Sequence, residues 1–389
     1  MLQLLKRVIN VDKELKDCAE QINHLKLKLN EKRKSEKTYF ESKEIKVPTK
    51  EFEVKVKLES HSGKVYGVNW HHDSKHLFSI AQDARLIVWD TCSKTIKKSL
   101  NLSNSWMLAS AVSPSGTLTA VGGLDNLCTI YDVSDAFGLT PMPKEESESD
   151  QGQYILQGHE GYVSSCKFLN EDTIVTTSGD LTVGYWNITK ERIISTSEGH
   201  TGDVMSVCVD PSSHLVITGS FDSTAKVWDD RTPKKWMLNF AGFHTSDINW
   251  LNNITFFKKK KTVCVYVYIY VYIYVLLFCT SVHLFPNKRS FVTGSDDSTC
   301  RLFDLRAYRQ MAIYSNRTHT SVQMVDTSVS GCYIFVDDDD ANSIIALNTL
   351  NTKEVYVLTH TQRARRMQVS PSGHALATGC WDFHIRLWA

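Results

Sequence analysis

Short runs of alternating apolar and polar residues, broken by turn residues, make up most of the chain. The clearest stretch is 200–229, HTGDVMSVCVDPSSHLVITGSFDSTAKVWD. Alternating runs at 204–209, 215–219 and 225–228 are separated there by Pro211-Ser212-Ser213 and Phe221-Asp222-Ser223. A period of two over runs this short predicts strands, and the turn residues predict an antiparallel meander. The first thirty residues follow a different rule. Met1, Leu4, Val8, Val11, Leu15, Cys18, Ile22, Leu25 and Leu29 fall three and four apart, charged or amide residues fill most positions between, and neither Pro nor Gly interrupts them. That is an a/d stripe, so residues 1–30 are expected to form a coiled-coil α-helix that pairs with a partner helix. Residues 31–50 are rich in Lys, Glu and Ser and read as a connector, after which EFEVKVKL at 51–58 alternates as a strand.

The meander recurs. Counting 18, 22 and 28 residues on from His200 reaches Thr218, Asp222 and Trp228. From His61 the same offsets give Ser79, Asp83 and Trp89, and from His360 they give Thr378, Asp382 and Trp388. From Ser103 they give Val121, Asp125 and Tyr131. From His159 the reading is Thr177, then Asp180 and Trp186 one place early. From His319 only a worn copy follows, with Asp337, Ala341 and Leu347. From His244 the register returns when 31 residues are skipped, landing on Thr293, Asp297 and Phe303. Seven copies of a unit of about forty residues predict a closed ring of four-stranded blades, an all-β propeller over 51–389. The strand at 52–58 is expected to close it by joining the last blade. In that setting His, Ser/Thr, Asp and Trp form a buried donor–acceptor chain inside a blade, a structural role and not a metal or catalytic one.

Composition changes this picture little. A net charge of +1 implies no nucleic-acid or membrane field. None of the ten cysteines form C-x-x-C pairs, so reduced, mostly buried thiols are expected in a cytoplasmic protein. No phosphate-binding loop, G-x-S-x-G or metal-spaced His/Cys set occurs, so neither enzymatic activity nor a cofactor is expected. The acidic run at 144–150 reads as a solvated loop.

One segment departs from the repeat, an insertion at about 253–284 in blade five. After Lys258 to Lys261 comes TVCVYVYIYVYIYVLLFCTSVHLF. Its length fits a bilayer span, while its period of two is strand-like and aggregation-prone. Its Val, Tyr, Ile and Cys are also what translated GT, TA and AT repeats spell. A retained intron or tolerated insertion is the favoured reading, because a spanning helix between strands of one blade would open the ring.

The repeat resembles the WD40 unit, and several runs resemble one WD40 family closely. SIAQDARLIVWD (79–90), GGLDNLCTIY (122–131), GYVSSCKF (161–168), GHTGDVMSV (199–207), SDIN (246–249) and TGSDDSTCRLFDLRA (293–307) are similar to the beta subunit of heterotrimeric G proteins. The resemblance implies a non-catalytic signalling scaffold. Its N-terminal helix would pair with a gamma subunit through Val8, Val11, Leu15, Cys18, Ile22, Leu25 and Leu29. Its propeller would bind a GDP-bound alpha subunit and, after exchange, effectors in receptor signalling. Membrane contact at the inner face of the plasma membrane would then be indirect, through lipidated partners. Carried over by motif, the alpha- and effector-facing positions are Lys64 and Tyr66, Trp106, Leu124 and Asn126. They continue with Tyr162, Asp203 and Met205, then Asp247, Asp296, Arg363 and Trp381. A family lysine after blade one is Ile96 here. The alternative reading is a WD40 adaptor of another multiprotein complex.

Overall fold

A computed structural model describes residues 52–138, 154–244, 281–315, 320–338 and 340–389. The chain divides into two compact units, Met1–Glu51 and Phe52–Ala389, and the described residues all fall in the second. The helix expected at 1–30, the nine residues of its stripe, the connector, Asp247 and His319 therefore lie outside the described residues.

The described strands form seven four-stranded antiparallel sheets. In six of them the strands follow chain order from centre to rim, as in blade one with Val65–Trp70, His76–Ala81, Arg85–Asp90 and Thr95–Asn101. The innermost strands are Val65–Trp70, Met107–Val112, Val163–Phe168, Val204–Asp210, Ser281–Leu284, Val325–Thr327 and Ala364–Val369, and each packs on the next until the last meets the first. The seventh sheet closes the ring. Its outermost strand is Val54–Glu59 from the front of the propeller, paired antiparallel with His384–Trp388.

Burial follows from this order. The first strand of blade one is buried throughout, whereas its outermost strand is mostly exposed. The core is divided into seven apolar layers, one at each interface between neighbouring blades. Val, Ile and Leu alternate on both faces of each middle strand because both faces are covered.

The expected polar chain occupies blade four. His200 Nδ1 lies 2.8 Å from Asp222 Oδ2, its Nε2 lies 2.8 Å from the Thr218 hydroxyl, and Trp228 Nε1 donates to that hydroxyl at 2.9 Å. Blade one repeats it through His61, Asp83, Ser79 and Trp89. Burial would raise the Asp83 carboxyl, but His61, the Ser62 amide and Arg85 outweigh it and hold it at about 2. Blade five pairs His244 with Asp297 (2.8 Å) and Thr293 (2.7 Å), with Phe303 in the tryptophan position.

Three expectations need correction. In blade three the hydroxyl between His159 and Trp186 is that of Thr176, at 2.7 Å from each. The turn before Thr173–Ser178 is one residue shorter, so every later position moves by one, and Thr177 points to the other face and bonds Ser164 (2.8 Å). In blade seven His360 and Trp388 reach Thr378, both at 3.0 Å, but Asp382 does not bond His360. Asp382 turns to Arg386, whose guanidinium competes for it, and His360 Nδ1 faces the Leu358 carbonyl (3.1 Å). The extra segment also ends sooner than residue 284, because Ser281–Leu284 pairs with Ser290–Gly294 as the first strand of blade five. Blade six, despite its worn motif, is a complete four-stranded sheet. Asp337 stands in the Ser/Thr position and accepts the amides of Gln323 and Met324, both at 2.9 Å.

Two predictions follow from the polar chain. Thr176→Val leaves His159 Nε2 and Trp186 Nε1 buried without their shared partner, so it should cost ~2–4 kcal/mol, against under ~1 kcal/mol for Thr177→Val. Urea unfolding of the two variants checks the order. For His360, burial and the nearby Arg386 depress the imidazole from 6.5 to about 4. The folded state then binds fewer protons than the unfolded one between these values. Its contribution, as much as ~3 kcal/mol, is present above pH 6.5 and lost as pH falls towards 4. His360→Asn should flatten that part of the stability curve, measured as unfolding midpoint against pH.

Candidate partner-binding rim

In five blades the second residue of the innermost strand is skipped in the pairing register, which is a β-bulge. Val65 pairs with Ala81 and Gly67 with Ile80, leaving Tyr66 out. The same shift leaves out Leu108, Ser164, Met205 and Arg365. Bulges at sheet ends re-aim a side chain. Each of these residues stands five places after its repeat start, at Ser103, His159, His200 and His360 as at His61.

All the described candidate residues lie where first strands begin and second strands end, so they share one rim of the ring. Lys64, Trp106, Tyr162, Asp203 and Arg363 precede or adjoin the first strands, while Leu124, Asn126, Asp296 and Trp381 follow the second ones. Contacts link them across the blades. Lys64 Nζ sits 4.0 Å from the centre of the Trp381 ring, spanning blades one and seven. The Arg363 and Arg365 guanidinium carbons lie 5.6 and 5.7 Å from that same ring. Tyr66 stacks on Trp106 with centroids 6.3 Å apart, and the Leu124 amide donates to the Trp106 carbonyl. Asn126, in the left-handed region at φ 64°, donates from Nδ2 to the Glu160 carbonyl at 3.2 Å. The Tyr162 hydroxyl donates to Asp203 Oδ2 at 2.8 Å and lies 3.4 Å from Met205 Sδ. A β-carbon on Gly179 would stand 2.4 Å from the Tyr162 ring, so glycine is required beneath it. Asp296 lines the crevice between blades four and five with Phe221, Ser223 and His244.

Electrostatics separate the rim into two halves. Around Trp381 are three cationic side chains, Lys64, Arg363 and Arg365. At Tyr162, burial pushes the Asp203 carboxyl above its ordinary value, against the Tyr162 hydrogen bond. Burial also pushes the Tyr66 phenol up to about 12, with Arg365 opposing. Two buried polar atoms here have no hydrogen-bond partner among the described residues, the Tyr66 hydroxyl and Trp381 Nε1. Buried polar groups are ordinarily paired. Sequence reasoning missed Arg365, although the five-residue offset from His360 marks it. Ile96 lies on the outermost strand of blade one and is 43 % exposed.

The seven described cysteines are free thiols, five of them buried and Cys92 and Cys332 exposed. Among the described residues no helix is long and apolar enough to cross a membrane.

Comparison with known proteins gives consistent results. The family model described as "WD domain, G-beta repeat" matches residues 52–90, 151–187, 191–229, 277–304 and 352–389. The guanine nucleotide-binding protein subunit beta of Solanum tuberosum is 33% identical over 353 residues, covering 85% of this chain and 82% of that protein. Its counterpart in Arabidopsis thaliana is 32% identical over 351 residues with the same coverage. Among solved structures, the WD40 beta propeller domain of Doa1 superposes with a TM-score of 0.64 at 17% identity, covering 87% of this chain and 97% of that one. At that identity the likeness speaks for the fold alone.

Removing the unpaired phenol tests the rim directly. Tyr66→Phe should raise the unfolding free energy of the chain by about 1 kcal/mol, because a buried hydroxyl without a partner is lost and the stacked ring is kept. Guanidinium unfolding of the isolated protein is the measurement.

Proposed function

The chain belongs to the family of guanine nucleotide-binding protein beta subunits, and on that premise we propose that it is the beta subunit of a heterotrimeric G protein. In this reading it is a non-catalytic scaffold. The stripe at 1–30 pairs with the helix of a gamma subunit, and the rim from Trp381 to Met205 binds the GDP-bound alpha subunit. Nucleotide exchange in alpha rearranges its contacting segment and frees the same rim for effectors. Association with the inner face of the plasma membrane comes through lipidated partners.

The observation that carries the alpha-binding assignment is the pair of unpartnered atoms on the rim, Tyr66 Oη and Trp381 Nε1, set beside three cations. A protein alone gains nothing by leaving both unpaired at a surface it also crowds with positive charge. A partner segment offering an acceptor to the indole and the phenol would satisfy both. The aromatic rings supply the buried area that dominates binding, since Trp, Tyr and Arg are the usual hot-spot residues. Lys64 and Asp203, at opposite ends of the run, fix the register of the partner.

Two sites that are separate in the chain should fail separately. Trp106→Ala should weaken binding of a GDP-loaded alpha subunit by at least ~2 kcal/mol, about thirtyfold, and leave gamma pairing unchanged. Leu15→Asp with Ile22→Asp should abolish gamma pairing while the propeller stays folded. Pull-down and surface-binding measurements with both partners check this. Loss of both partners in each variant would sink the assignment.

A further inference from the structure

On the opposite rim of blade one, the turn between the two innermost strands reads Trp70-His-His-Asp-Ser-Lys-His76. Three side chains converge in it. Asp73 Oδ1 lies 3.0 Å from His71 Nδ1, Asp73 Oδ2 lies 2.6 Å from His76 Nδ1, and these three ligand-type groups all fall within 4.8 Å of one another. We propose that this turn is a transition-metal site of the borderline class, with Zn²⁺ as its reference ion, held by His71 Nδ1, His76 Nδ1 and one oxygen of Asp73.

The argument starts from the orientation of His71. Its ring is clamped, stacked on Phe137 with centroids 4.7 Å apart. Its Nε2 faces Gly116, where a β-carbon would come within 1.9 Å. The amide of Asp73 donates to Nδ1 at 3.3 Å, so that nitrogen presents a lone pair to the turn. The same ring nitrogen faces a carboxylate oxygen at 3.0 Å. An imidazole nitrogen held beside a carboxylate and a second imidazole is a donor set that zinc takes.

The carboxylate is oriented as well. The amides of Lys75 and His76 bond Oδ1, at 2.8 and 3.0 Å, which leaves Oδ2, facing His76 Nδ1, as the ligand atom. Ligand distances of about 2.0–2.2 Å need only small side-chain rotations from the present spacing. Three protein ligands leave one position for water or for a residue from a partner.

The experiment uses the full chain stripped with chelator and titrated with Zn²⁺ against a chromophoric chelator. Co²⁺ absorption then serves as a second readout of the coordination. One metal equivalent should be weakened at least about tenfold in His76→Gln and in Asp73→Asn, each of which keeps a polar group in the turn. Denaturant midpoints of both variants are followed in parallel, so that unfolding is not mistaken for a lost ligand. Uptake by both folded variants equal to that of the unmodified chain overturns the proposal, as does an unmodified chain that takes up no metal.

Discussion

The propeller depends on one pairing between residues more than three hundred positions apart. Val54–Glu59 completes blade seven by lying against His384–Trp388, and the main chain continues the contact where Glu53 and Ala389 exchange amide hydrogen bonds. Trp70 adds to the seam, donating from Nε1 to the Gln368 carbonyl at 3.0 Å. Closure of so long a loop is entropically costly, but the cost grows only slowly with length. It is met by the last of seven apolar layers, in which Leu58, Val65, Trp89 and Ile385 pack together. The rim inherits its geometry from that seam, since the Lys64–Trp381 contact crosses it. A ring open at this point would separate Lys64 from the indole that it covers.

Within the ring, each blade must satisfy the polar groups where its first and second strands meet, and the chain does so in more than one way. Blades one, three and four use imidazole, hydroxyl, indole and carboxylate in series. Blade seven diverts the carboxylate to a guanidinium, and a carbonyl accepts the hydrogen bond of the imidazole instead. Blade six dispenses with histidine in its described part and uses the Asp337 carboxylate to hold two backbone amides. What is preserved is satisfaction of buried donors and acceptors, not the identity of the side chains. That is why a motif worn beyond recognition still folds as a blade.

This distinction explains what could be read from the amino-acid sequence. The seven-bladed ring and its closing strand were legible, because period-two alternation and a forty-residue repeat leave few other solutions. The polar chains of blades one and four were legible from their regular spacing. Thr176 was misread as Thr177 because a one-residue deletion lies upstream of it, and counting from His159 cannot reveal where a turn has shortened. The competition of Arg386 for Asp382 was invisible, since it depends on which of two partners a carboxylate faces. On the rim, Tyr66 and Met205 were legible through family motifs, while the bulge that aims them emerges only from strand pairing. Arg365 belongs to the same bulge and matched no motif, so it was passed over.

The extra residues of blade five are best understood from their anchors. His244 stays bonded to Thr293 and Asp297, and Ser281 pairs with Gly294, so both flanks of residues 245–280 keep the register of an ordinary blade. Both flanks also lie on the rim that carries Tyr66, Trp106 and Trp381, at the connection into an innermost strand. Lengthening a connection there adds only loop entropy, which rises with the logarithm of length, and disturbs none of the seven apolar layers. An insertion of an odd number of residues inside Ser281–Leu284 or Ser290–Gly294 would instead shift the period-two register and turn core residues such as Val282 or Val292 outward. The fold therefore tolerates additional sequence at this junction for the same reason that it can carry a binding surface there. The rim is where chain can vary while the blades behind it remain fixed.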